Sequence, residues 1–176
     1  SARGKVAEIH NLLLSTKPDI LIGTETWLDQ EINTCEIFPR EYSVYRRDRP
    51  SRGGGVLIAV RDGLSSVQEP LPSHPDCELL WVRVKLKRNR NLLVGAFYRP
   101  DVTDKVSVPL MKLSAEQAMQ SRNSIVILGG DFNFPGLDWT TRTLKSGASC
   151  PGLHHQFLDT LADLGLEQVI EQPTRG

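Results

Sequence analysis

Between Ile125 and Asn133 the chain reads Ile-Val-Ile-Leu-Gly-Gly-Asp-Phe-Asn, and this stretch most limits what it can become. The apolar residues predict a short buried strand. The two glycines that follow allow a sharp turn or a close approach to a ligand. An acid and an amide then stand two positions apart, and in extended chain such residues point the same way. Asp131 and Asn133 are therefore expected to offer their oxygens to one shared space. A strand ending in Gly-Gly-Asp is common and by itself structural, so its meaning depends on the rest of the chain.

At 176 residues, 39% hydrophobic and 24% charged, residues 1–176 fit one globular domain with a substantial core. No apolar run approaches the roughly 20 residues that span a bilayer, so no membrane association is expected. Ser1-Ala2-Arg3-Gly4-Lys5 leads straight into an amphipathic pattern rather than a signal peptide. Lys+Arg and Asp+Glu each total 21, so a nucleic-acid role must rest on local patches. Cys35, Cys77 and Cys150 are odd in number and far apart. That fits a reducing compartment, and no metal-type Cys/His cluster accompanies them. The chain starts without Met and stops at Pro173-Thr174-Arg175-Gly176, which reads as a domain truncated at both ends.

Val6, Ile9, Leu12 and Leu13 recur at helical spacing and predict a helix over residues 3–15, ended by Lys17-Pro18. Ile20-Leu21-Ile22 is then a buried strand running out toward Glu25. Tyr42–Tyr45 and Val56–Val60 predict two more, the second opened by Gly53-Gly54-Gly55. Cys77–Leu86 and Leu92–Tyr98 flank a polar turn and predict an antiparallel hairpin. Helices are expected over 104–121 and 152–164, with a last short strand over 166–170. Strands alternating with helical crossovers imply one α/β domain, with mixed sheets covered by helices.

Three strand ends carry polar residues suited to phosphate chemistry. Glu25 is a hard-oxygen ligand of the kind Mg²⁺ takes, although a strand-end Glu alone is most often just solvated. Tyr98, beside Arg99, could donate to a phosphate oxygen, where donors stabilise developing charge; alone it reads as a core-rim tyrosine. Asp131 and Asn133 could polarise a water and hold the phosphate. Gly53–Gly55 lacks the Gly-Lys-Ser/Thr of a phosphate loop and reads as hairpin flexibility. His154 and His155 have no partner at metal-binding spacing and read as surface or rim residues. Arg46, Arg47, Arg49 and Arg52 fit a phosphate-contacting patch or a solvated loop equally well.

Lys17-Pro-Asp-Ile-Leu-Ile-Gly-Thr-Glu-Thr-Trp-Leu28 closely resembles the glutamate motif of the endonuclease/exonuclease/phosphatase superfamily. The form is that of the apurinic/apyrimidinic-type endonuclease domains of jockey-like non-LTR retrotransposons. Arg52-Gly-Gly-Gly-Val56, Phe97-Tyr-Arg-Pro100 and Gly130-Asp-Phe-Asn133 resemble further blocks in the same order. The resemblance implies a DNase I-like four-layer α/β sandwich, lacking terminal strands. It implies Mg²⁺, or Mn²⁺, at Glu25, with Tyr98 on the scissile phosphate. Asp131 would activate the attacking water, Asn133 would bond the phosphate, and Arg99 and Thr174 would contact substrate. DNA would be nicked by a monomer to prime a downstream reverse transcriptase, in the nucleus for the full-length element protein and otherwise within the cell.

The family's opening Asn motif would lie before residue 1, and its closing Asp and Ser-Asp-His motifs beyond Gly176. Little or no activity is therefore expected of this stretch alone, and its sheet edges are expected to be unpaired. Two other readings stay open. One is a phosphomonoesterase of the same superfamily, and the other is an inactive or binding-only fragment.

Overall fold

The computed structural model describes residues 2–51 and 53–170. The amphipathic N-terminal pattern forms a 3₁₀ turn, Ala2–Lys5, and helix α1, Val6–Thr16. Lys17 ends the helix in a left-handed conformation, donating its N–H to Leu13 O at 3.0 Å, and Pro18 prevents continuation. Leu13 is buried against Leu57 and Ala59, which contributes about 2 kcal/mol for a side chain of this size.

The strands form two principal sheets. β1 (Ile20–Thr24) and β2 (Tyr42–Arg47) both pair antiparallel with β3 (Val56–Arg61), in the order β1-β3-β2. The second sheet has the order β4-β5-β6-β7, from β4 (Ser66–Gln68), β5 (Glu78–Lys85), β6 (Asn91–Tyr98) and β7 (Ser124–Asp131). The expected β5–β6 hairpin is present, while β6 and β7 are parallel. A parallel pair needs a crossover, and α2 (Ser107–Met119) supplies it.

Period-2 alternation sorts the side chains into layers. Leu57 and Ala59 of β3 face α1, whereas Val56, Ile58 and Val60 face the second sheet. There they meet Leu80, Val82 and Val84 of β5 and Val94, Ala96 and Tyr98 of β6. Leu79, Trp81, Leu93 and Phe97 point the other way, onto α2 and onto α3 (Pro151–Asp163). The buried Trp81 indole donates to Ser114 Oγ of α2 at 3.0 Å. The result is the expected four-layer sandwich: helix, sheet, sheet, helices.

Two expectations fail. Residues 166–170 form no strand, and Val169 is 80% exposed. β-branched residues make a strand only where a neighbour takes up their backbone groups, and none does here among the described residues. β7 is also not fully buried. Among the described residues it is an edge strand, and the three-stranded sheet does not extend over Ile125 and Ile127, which are 49% and 47% exposed. The small pair β8 (Leu137–Asp138) and β9 (Thr143–Leu144), like β4, has no clear sequence signal.

Candidate active site

β1 runs out at Thr24, and the next residues are shaped by the hairpin beside them. Thr26 donates its N–H to Gly55 O at 3.3 Å, and Trp27 donates to Gly54 O at 2.9 Å. Any side chain at Gly55 would place a Cβ 2.4 Å from Thr26 Oγ1, and the residue has φ +88°. The Gly53–Gly55 run therefore serves close approach rather than the flexibility the sequence suggested. Glu25, set on this support, has φ +50° and an exposed side chain.

Beneath the hairpin lies Glu78, at 8% exposure. Its carboxylate accepts the Gly55 N–H and the Arg49 guanidinium, the latter through Nε at 2.8 Å. Glu78 pairs across the ladder with Tyr98, and Arg49 lies 6.0 Å from the centre of the Tyr98 ring. Tyr98, the last residue of β6, donates its phenol hydrogen to Glu25 Oε1 at 2.6 Å. Burial first, then the acceptor and charge of Glu25, hold the phenol well above the usual tyrosine range. At neutral pH Tyr98 is a hydrogen-bond donor.

The parallel register places Asp131 beside Tyr98. Gly130 permits this: it has φ +139°, and a Cβ there would lie 1.8 Å from Phe97 O. The strand stops at Asp131, so Asn133 does not share an extended register with it. Instead Asn133 has φ +52° and donates its N–H to Asp131 Oδ1 at 3.1 Å, a turn that keeps the two residues together. The Asn133 side-chain amide donates to Arg99 O.

Arg99 is not placed to touch substrate, contrary to the sequence reading. It is fully buried, and its guanidinium donates to Asp104 O, Val102 O and Asn133 O at 2.8–3.2 Å. It also lies 4.1 Å over the Phe134 ring. Burial lowers its pKa, and its work is to tie the loop after β6 to the loop after β7. Phe134 stacks on Phe157 of α3 at 4.3 Å and meets the His154 ring edge-on at 5.1 Å. His154 is thus core, not rim, whereas His155 is exposed.

The described arginines of the patch are likewise committed internally. Arg46 donates to Ile32 O and Asp48, and Arg47 to Leu79 O and His74 O. Arg52 and Thr174 lie outside the described residues.

An open cleft of about 630 Å³ is lined by Ile22, Thr24, Asp131, Asn133, Trp139 and Gln168, among others. Glu25 adjoins this lining through Thr24, and Tyr98 through its pairing with Asp131. No histidine is among the described residues that line the cleft. Among the described residues no three His, Cys, Asp or Glu side chains cluster around a point. An exposed single carboxylate such as Glu25 nevertheless fits Mg²⁺, which keeps its waters and takes one or two carboxylates plus phosphate oxygens.

The sequence reading missed Glu78, Arg49 as its partner, and Thr26. An acid inside the apolar run Cys77–Leu80 was the available signal, since a buried Glu requires a partner.

Two facing sheets between helical layers, with a Glu, a Tyr and a Gly-Asp-Phe-Asn turn at neighbouring strand ends, define a DNase I-like hydrolase fold. The chain belongs to the Endonuclease/Exonuclease/phosphatase family, whose sequence profile matches residues 1–169. It is similar to the endonuclease domain of TRAS1, a telomere-specific non-LTR retrotransposon, with TM-score 0.67 and 22% identity. That match covers 96% of this chain and 70% of the TRAS1 domain. The 3′ phosphatase NExo from Neisseria, bound to a product DNA hairpin, matches with TM-score 0.66 and 19% identity, over 93% of this chain and 67% of NExo. An AP endonuclease from Archaeoglobus fulgidus matches with TM-score 0.61 and 19% identity, over 93% of this chain and 67% of that enzyme. At these identities the likeness speaks to the fold. No curated protein matches the chain.

Proposed function

We propose that this chain is the DNA-nicking endonuclease domain of a non-LTR retrotransposon polyprotein, a Mg²⁺- or Mn²⁺-dependent phosphodiesterase. The observation that carries the reading is the Tyr98–Glu25 hydrogen bond, made by a tyrosine that pairs directly with Asp131 on the next strand. It gathers all three strand-end polar groups within one neighbourhood.

In this reading Asp131 orients the attacking water and takes its proton. A new P–O bond forms as the bond to the 3′-oxygen breaks, and the departing 3′-oxygen takes a proton from solvent water, which leaves a 5′-phosphate and a 3′-hydroxyl for a downstream reverse transcriptase domain. Asn133, fixed by its bonds to Asp131 and Arg99, hydrogen-bonds the phosphate. The Tyr98 phenol donates to a phosphate oxygen once its hydrogen turns from Glu25. Glu25 holds the metal, which when bound supplies Lewis-acid polarisation of the phosphoryl oxygen. Thr174 adds a substrate contact, and Arg99 contributes only by holding the two loops. The domain acts as a monomer, on nuclear DNA within the full-length element protein.

The test, in a chain lengthened to match the TRAS1 domain that residues 1–176 cover to 70%, is conversion of supercoiled plasmid to open circles with Mg²⁺ and with Mg²⁺ chelated. Nicking is expected to need the metal and to be lost in Asp131→Ala and Glu25→Ala. Full nicking by either variant would overturn the assigned roles. The phosphatase neighbour supports a second reading, 3′-phosphate removal. A 3′-phosphorylated oligonucleotide in the same assay separates the two.

A further inference from the structure

We infer that Trp27 forms a stacking subsite for a nucleobase of DNA lying across the candidate site; this rests on the DNA-nicking reading above. Glu25 and Trp27 stand on either side of buried Thr26, and both have left-handed backbone, with φ +50° and +55°. For a bulky aromatic residue that conformation is strained and persists only where surroundings enforce it. Here the surroundings are the Trp27 N–H bond to Gly54 O and the glycine hairpin. The indole runs alongside that hairpin, 3.9 Å from where a Gly53 Cβ would stand.

This strain does not serve burial, for the Trp27 side chain remains 43% exposed. The backbone instead holds a broad aromatic side chain at the surface, two residues from the carboxylate bonded to Tyr98. Two residues span at most about 7 Å, and successive nucleotides rise about 3.4 Å. The backbones of Glu25 and Trp27 therefore lie within about two nucleotide rises of one another, which sets the indole on the same short segment as the carboxylate proposed to hold the metal.

The electrostatics near the site favour the same mode of binding. Arg46, Arg47, Arg49 and Arg99 are engaged with carbonyls or carboxylates within the fold, and Lys+Arg balance Asp+Glu at 21 each. With these four described arginines engaged, stacking is a sequence-tolerant contact that holds DNA without drawing on them. Base–aromatic stacking is worth about tenfold in affinity per base.

The test is fluorescence anisotropy of the whole chain with two labelled duplexes. One is opened by a short unpaired bubble; in the other, abasic spacers replace the bubble nucleosides, so the phosphates remain without bases. Trp27→Ala is expected to weaken binding to the first duplex about tenfold and to leave the second unchanged. Trp27→Phe is expected to restore most of the loss, and Trp27→Leu, with bulk but no π-face, to restore little. If the alanine variant does not fold, the phenylalanine and leucine variants alone decide. No loss, equal loss on both duplexes, or equal binding by the Phe and Leu variants would overturn the subsite while leaving the endonuclease reading intact. No binding of either duplex by the wild-type chain would overturn both.

Discussion

Tyr98 donates its phenol hydrogen to Glu25 Oε1 at 2.6 Å, joining two strand ends that lie 73 residues apart in the sequence. The bond crosses the interface between the sheets, since Glu25 follows β1 and Tyr98 ends β6. It fixes a carboxylate that would otherwise swing freely from an exposed loop. Tyr98→Phe keeps the ring in its packed position and deletes only the hydroxyl. Nicking is expected to fall on the order of 100-fold, as for loss of one preorganised donor. Stability should fall by only about 1 kcal/mol. Single-turnover nicking and urea denaturation measure the two, and unchanged nicking would remove Tyr98 from the site.

Where the sequence was informative, it was so through local periodicity. β5 and β6 alternate between two buried faces, and their hairpin could be read from Cys77–Tyr98 alone. The strand-end positions of Glu25, Tyr98 and Asp131 followed from the same pattern. What escaped depends on partners distant in the chain. An arginine beside Tyr98 looks like a phosphate ligand until the loops at Val102–Asp104 and Asn133 close over it. Residues 166–170 have strand composition but no neighbour to pair with among the described residues, and composition does not reveal that. Glycines at 53–55 look permissive, yet their φ values and the Thr26 contact make Gly55 a steric requirement.

Glu78 supports the loop that carries Glu25. Its carboxylate accepts both Arg49 and the Gly55 N–H, so Glu78→Ala leaves a buried donor unsatisfied. A loss of about 2 kcal/mol in unfolding free energy is expected, discounted for the partial exposure of Arg49. Glu78→Gln, which retains an acceptor, should lose less. Urea denaturation checks the order, and a Gln variant less stable than Ala would contradict it.

Arg99 provides a direct test of structural against substrate-binding roles. Lysine cannot reproduce the fork that serves three carbonyls and covers Phe134. Arg99→Lys is expected to cost about 2 kcal/mol of stability, with the salt dependence of DNA binding unchanged. A phosphate contact would behave oppositely, reducing the salt slope by about one unit. Binding isotherms over a range of salt concentrations, run beside a denaturation curve, separate these outcomes.

Cys77 gives the chain an alkaline weakness whose sign can be worked out. Burial among apolar neighbours pushes its thiol up to about 12, against an ordinary value near 9, and the Arg47 charge offsets only part of this. Below pH 9 the thiol is protonated in both folded and unfolded chains and contributes no pH dependence. Between pH 9 and 12 the unfolded chain releases a proton that the folded chain retains, so stability falls as pH rises. Tyr98, whose phenol is also raised, adds a fall of the same sign that begins near its ordinary value of 10. Cys77→Ala is therefore expected to start less stable, through lost packing, but to decline less steeply across pH 9 to 12. Unfolding free energies from urea titrations at stepped pH test this. Parallel declines for wild type and variant would show that the thiol is not held protonated by the fold.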